Sequence, residues 1–344
     1  MTHTIVVRLD GLGDVLVSGP AVRAVAAASS RVTMLAGPAG AAAAHLLPGV
    51  DQVLTWSCPW ILADPPQVTR SDTSAIVDQL GNLGADRALI LTSFHQSALP
   101  TAMLLRLAGI PEISAVSEDY PGRLLDRRLA TPDPAPEPVR MLAIAAAAGY
   151  PLADGDDGRL AVRAELTPAL RARPDVLAVH PGVSAPARAY PLELWKQVVR
   201  DLTDNGWTVV VTGSAAERTL TAEVASAAVD PATVIDRGGQ DDLASLTSVL
   251  RSARVVVAAN TGPAHLAAAV GTPVVSLFAP VVDERLWAPY GVPTIVLGDP
   301  DAPCRGTRSR ICPVRGHPCL SSVAAESVVA AVDALAHCRS AVPA

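Results

Sequence analysis

Short apolar, β-branched runs alternate along this chain with segments of helical period. TIVVRL (4–9), RVTMLA (31–36), QVLTW (52–56) and RALILT (87–92) read as strands, with helical patterns near 15–29, 39–46, 72–83 and 97–108. A Pro- and Asp-rich stretch then brackets one apolar helix, VRMLAIAAAAG (139–149), after which the alternation resumes. DVLAVH (175–180), WTVVVTG (207–213), TVID (233–236), RVVVAA (254–259) and PVVSLF (273–278) are the strands of the second half. Strands that are apolar on both faces and separated by helices predict an α/β fold of parallel, doubly wound sheets. A length of 344 residues suits two such domains, expected at 1–170 and 171–344, with the last helix, 322–338, free to pack back on the first.

The longest uncharged stretch, residues 255–282, contains no Asp, Glu, Lys or Arg over 28 residues. Its length would allow a transmembrane helix, which needs about 20 apolar residues. Asn260, Gly262, Pro263, Gly271 and Pro273 interrupt it, however, and divide it into a strand, a short helix and a second strand. Asn260 or Thr261 would cap that helix. In parallel sheets ligands sit beyond the carboxyl ends of the strands, and NTGPAH (260–265) falls at that position.

Composition narrows the function classes. A net charge of −6 gives no global reason to expect nucleic acid. The N-terminus lacks the basic start and long apolar core of a signal peptide, so the expected location is the cytoplasm, with contact at the inner face of the plasma membrane left open. Five cysteines in a chain of this size do not form a disulfide framework. Cys304, Cys312 and Cys319 cluster near His317 at spacings too wide for a paired CxxC site, so no metal is assigned. A monomer is expected.

The first strand-to-helix turn, RLDGLGDV (8–15), fails as a dinucleotide fingerprint: Leu16 occupies the third glycine position, and Arg31 and Thr33 stand where a ribose-binding acid belongs. Asp14 remains at the mouth of the sheet, either as a proton acceptor or as the cap of the 15–29 helix. In the second half HPGVSAPARAYPLELW (180–195), VVVTGSAAER (209–218) and NTGPAH form three strand ends with glycines, hydroxyls or Arg188. Each alone is an ordinary βα turn; together they fit a cradle for a nucleotide diphosphate.

GDVLVSGPAVRAV, HPGVSAPARAYPLELW, VTGSAAE, the 242–280 segment, LWAPYG and CLSSVAAESV (319–328) resemble, in this order, the motifs of glycosyltransferase family 9, the ADP-heptose:lipopolysaccharide heptosyltransferases. That resemblance implies a GT-B architecture, two facing Rossmann-like domains, with the acceptor on the first and the nucleotide sugar on the second. It further implies an inverting, metal-independent transfer from a nucleotide sugar, ADP-heptose above others, with no other cofactor. The acceptor would be lipopolysaccharide core or another glycan, glycolipid or small molecule. Asp14, beside Gly13, matches the family's general base. Ser184, Arg188, Gly213, Ser214, Glu217, Asn260, Thr261, Gly262, Pro263 and His265 match its donor side, Glu217 toward the ribose and Thr261 and Gly262 toward the phosphates. Arg188 replaces a family lysine, and Asn260 an aspartate that contacts the sugar. On the acceptor side Arg123, Arg127 and Arg140 are candidates for phosphate contact. Trp56 and Trp60 either stack on a sugar or fill core. A nucleotide-sugar epimerase and a non-catalytic nucleotide-sugar binding protein are the alternatives.

Overall fold

The computed structural model describes residues 2–163 and 175–339. The chain divides into two compact units, Met1–Arg163 and Ala164–Ala344; the boundary expected at 170/171 lies outside the described residues. Each unit carries one six-stranded sheet with every strand pair parallel.

In the first unit β1 (His3–Arg8), β2 (Arg31–Ala36), β3 (Gln52–Thr55), β4 (Arg87–Ile90), β5 (Glu112–Val116) and β6 (Arg127–Leu129) are ordered β3-β2-β1-β4-β5-β6. Helices α1 (Leu12–Val17), α2 (Gly19–Ala27), α3 (Pro38–Leu46), α4 (Arg70–Asn82), α5 (Leu99–Leu107) and α6 (Glu137–Ala147) connect and cover them. Strand β1 is central and all six of its residues are buried. Ile5 and Val7 on it pack with Leu35, Ile90, Ile113 and Leu105 in one core.

The second unit repeats the plan. Strands β7 (Val176–His180), β8 (Thr208–Val211), β9 (Val234–Asp236), β10 (Val256–Ala259), β11 (Val274–Leu277) and β12 (Thr294–Leu297) run β12-β11-β10-β7-β8-β9. Its helices are α7 (Leu192–Asp204), α8 (Arg218–Ala225), α9 (Leu243–Ser252), α10 (Gly262–Ala269), α11 (Glu284–Trp287), α12 (Pro318–Ser321) and α13 (Ala325–Arg339). The uncharged 255–282 stretch is thus β10, α10 and β11, and no helix among the described residues is long and apolar enough to cross a membrane. Helix α13 lies against α7 within the second unit, and Val328 and Val332 join a core with Trp195, Val198 and Leu277.

Two expectations change. The helix expected over 15–29 is two helices broken at Ser18. Pro20 lacks the N–H that would continue the first helix, and the Ser18 hydroxyl donates to the Val15 carbonyl at 2.7 Å. Asp14 is therefore the third residue of α1, whose N-cap is Gly11, and caps nothing. The segment that carries the candidates Arg123 and Arg127, given no strand from the sequence, contributes the edge strand β6, where Arg127 and Arg128 keep an open ladder solvated.

Candidate active site

In a doubly wound sheet the connections on either side of the order reversal splay apart and leave a crevice at the strand ends. In the first unit that reversal lies between β1 and β4; in the second, between β7 and β10. Asp14 follows β1 beside the first reversal, and Arg188 and Asn260 follow β7 and β10 at the second.

At the first, β1 ends in Arg8, whose guanidinium is wholly buried. Its Nη2 donates to Asp14 Oδ1 at 2.9 Å and to Ser93 Oγ at 3.0 Å, beyond β4. Nε lies 3.0 Å from Asp10 Oδ2, as an ion pair out of line for a hydrogen bond. Glu137 Oε1, at the start of α6, is 3.6 Å from Nη2. Burial works against the Arg8 charge, but Asp10, Asp14 and Glu137 outweigh it and hold the guanidinium protonated. Burial likewise pushes the Asp10 carboxyl above its usual range, opposed by Arg8 and reinforced by Asp14. Gln96 Nε2 donates to Asp10, which ties the 92–97 loop to the same cluster.

The acceptor candidates do not all lie there. Arg140 is 3% exposed, grips Glu137 with two hydrogen bonds of 2.7 and 2.6 Å, donates to the Thr92 carbonyl and covers the Phe94 ring. It is part of the cluster's scaffold and not a phosphate-binding arm. Trp56 is buried, edge to face with Trp60 at 5.2 Å, and Trp60 Nε1 donates to Thr101. Of the two uses open for this pair, the geometry is that of core filling. Arg127 pairs with Glu112 at 3.0 Å, while the Arg123 side chain is exposed.

At the second point the 181–188 turn and the 260–263 turn meet. Arg188, ending a short 3₁₀ turn after β7, donates from Nη1 to the Asn260 carbonyl beyond β10 at 3.0 Å. Thr261 is the N-cap of α10 in extended conformation, without a side-chain cap bond, and Pro263 follows in the first turn. The Asn260 side chain turns inward: its Oδ1 accepts from the Ala279 N–H at 3.3 Å and its Nδ2 reaches the Ala279 carbonyl at 3.5 Å. An aspartate there would have no donor for that carbonyl. His265 is buried just below the turn.

Beyond β8, Ser214 caps the short turn Ala215–Glu217 in a capping box: Glu217 Oε2 accepts from the Ser214 amide at 2.7 Å and its hydroxyl at 2.8 Å. Glu217 also closes on Gly182, where a Cβ would stand 2.1 Å from Oε1, so any larger residue there would displace the Glu217 carboxylate. A cavity of about 420 Å³ opens here, lined by Pro181, Val183, Tyr190, Glu217 and His317.

Two contributions escape sequence reasoning. The 302–317 loop braces the 184–188 turn: Arg310 Nη2 donates to the Ser184 carbonyl at 3.3 Å, the Arg310 carbonyl accepts from Ala187, and His317 Nε2 donates to the Ala187 carbonyl at 3.0 Å. Cys304, within the loop, and Cys319, just after it, are buried; burial, with Cys304 and Cys312 nearby, pushes the Cys319 thiol up to about 12. Among the described residues no group of three or more His, Cys, Asp or Glu is placed to hold a metal.

The second is His180, the buried last residue of β7, whose Nδ1 shares a hydrogen bond with Thr212 Oγ1 at 2.9 Å. Burial lowers its pKa to about 4 against the charge of Glu217, so the ring is neutral at pH 7. The unfolded chain binds this proton near pH 6.5 and the folded chain only near 4, so stability falls as pH drops through that window. The full effect is roughly 3 kcal/mol. His180→Asn should therefore flatten the decline in Tm between pH 6.5 and 4; an unchanged slope would remove His180 as its source.

The model of glycosyltransferase family 9 (heptosyltransferase) matches residues 74–316. Lipopolysaccharide heptosyltransferase 1 of Pseudomonas aeruginosa is 32% identical over 227 residues, 63% of this chain and 61% of that protein, so the match spans about three fifths of the relative's length. Among solved structures, E. coli ADP-heptose lps heptosyltransferase II superposes with a TM-score of 0.74 at 18% identity, over 99% of this chain and 100% of the other. A family 9 glycosyl transferase from Veillonella parvula gives 0.76 at 16% identity, over 98% and 97%. E. coli heptosyltransferase WaaC with ADP-2-deoxy-2-fluoro heptose gives 0.71 at 18%, over 97% and 99%. The two doubly wound units are those of the GT-B fold shared by these enzymes. With a family match over most of its length, the chain belongs to glycosyltransferase family 9, the heptosyltransferases.

Proposed function

We propose that the protein transfers a heptosyl group from ADP-heptose to a hydroxyl of a glycan acceptor, with inversion at the anomeric carbon and in the cytoplasm. The observation that carries this reading is the Arg188–Asn260 bond, which joins two strand-end turns into one anion-binding corner. Of the amides at this corner, Thr261 is committed to the Ala259 carbonyl and Ala264 to that of Thr261, and Pro263 has none. That leaves the Gly262 N–H at this corner, which we assign to the diphosphate together with the positive charge of Arg188. Such preorganised donors stabilise charge that grows on a leaving group by about 3–4 kcal/mol each. The similar structures include an ADP-heptose enzyme and one bound to an ADP-heptose analogue, which supports the same donor.

The acceptor hydroxyl gives its proton to Asp14 as its oxygen bonds to the anomeric carbon. The bond from that carbon to the β-phosphate oxygen breaks, and its electron pair leaves with ADP. The sugar passes through an oxocarbenium-like state, as in other glycosyl transfers.

Calorimetry of the full chain with ADP, UDP, GDP and ADP-heptose tests the donor. Tightest binding of ADP and ADP-heptose is expected; preference for UDP or GDP would replace the donor, and absence of binding by all four would overturn the reading. Turnover of ADP-heptose to an isomer without release of ADP would identify an epimerase instead.

A further inference from the structure

A carboxylate base has two oxygens, and only one of them can take the acceptor's proton. Asp14 sits on a short helix whose N-cap makes no side-chain bond, so the helix does little to fix its side chain. The fixing comes from β1. Arg8 Nη2 donates to Oδ1 at 2.9 Å, whereas Oδ2 makes no hydrogen bond among the described residues and faces Gly11, where an added Cβ would stand 3.7 Å away. The Asp14 side chain is 27% exposed and that of Arg8 is wholly buried. One carboxylate oxygen is therefore bound from below and the other is open.

Arg8 is itself held from three directions. Asp10 flanks Nε, Ser93 on the loop after β4 takes a second bond from Nη2, and Met141 Sδ on α6 lies 3.5 Å from Nη1. Glu137, fully buried and clasped by Arg140, closes the cluster from α6. A guanidinium has a rigid planar fork of donors, so partners on three elements fix its orientation and not merely its charge. A strand-end cation with no surface of its own cannot bind substrate; it can only orient what does.

We propose that Arg8 is the positioning residue of the transfer, holding Oδ1 of Asp14 so that Oδ2 alone is presented to the acceptor hydroxyl. This rests on Asp14 being the base. Lysine at position 8 would keep the positive charge but lose the fork. A misplaced reacting group costs about 100-fold without altering what binds elsewhere.

The test uses the full chain with ADP-heptose as donor and water as acceptor, following release of ADP. Arg8→Lys is expected to lower kcat about 10- to 100-fold with KM for ADP-heptose within about twofold. Because Arg8 acts through Asp14, adding Arg8→Lys to Asp14→Asn should change the rate less than about twofold further. Additive losses, or a raised KM at unchanged kcat, would overturn the proposal. Should Arg8→Lys fail to fold by circular dichroism, Ser93→Ala removes one anchor of the same guanidinium. A several-fold lower kcat is then expected when Ser93→Ala is the only change, with no further loss when it is added to Asp14→Asn; equal losses in both cases would reject the assignment. An Asp14→Asn enzyme as fast as wild type would instead overturn the base itself.

Discussion

Asp14→Asn should lower sugar transfer by about 10²- to 10⁴-fold, the range a general base contributes, while ADP affinity measured by calorimetry stays unchanged. The amide keeps an oxygen to accept from Arg8 Nη2, so the side chain stays in place and only its ability to take a proton is lost. Donor binding should be unaffected because the proposed donor groups lie on the second unit. A variant that transfers at the wild-type rate would move the base elsewhere. Asp10, the other carboxylate beside Arg8 at the end of β1, would then be the next to change.

Arg188→Ala should weaken ADP binding by about 10- to 100-fold, in keeping with about 1.5–3 kcal/mol for a hydrogen bond to a charged group. The loss has two parts: the charge that meets the diphosphate, and the bond that ties the 181–188 turn to the Asn260 carbonyl. Arg188→Lys separates them, because lysine restores a point charge without the fork. Recovery of most of the affinity in that variant assigns the effect to charge. Equal ADP affinity in wild type and Arg188→Ala would remove Arg188 from the donor site.

The alternation of strands and helices was legible because both faces of a central parallel strand are covered, which makes TIVVRL and VVVAA nearly continuous apolar runs. β5, β6 and β12 were not legible: they are three to five residues long, begin with Glu112, Arg127 or Thr294, and lie toward or at the sheet edges, where polar residues are tolerated. The turns of the proposed donor corner could be picked out from their glycines, hydroxyls and Arg188 because each turn is local in sequence. The Arg8 cluster could not. Its partners Ser93 and Met141 lie 85 and 133 residues away, and no local pattern reports such a meeting. An arginine ending an apolar strand looks like the point where the chain returns to water, yet here it is among the most enclosed side chains in the molecule. Arg140 misled for a related reason: its partner Glu137 is three residues back on the same helix, and only the burial of that face separates a scaffold from a solvated charge.

The bracing of the 184–188 turn by the 302–317 loop has a consequence for how this enzyme can vary. Arg310 and His317 set the backbone of a turn more than a hundred residues earlier, on which Arg188 is mounted. The proposed donor corner is thus positioned from outside itself. Substitutions that move the turn need not touch Arg188 or Asn260, whose bonds hold neighbouring strands together; they can fall in the 302–317 loop and let the turn follow.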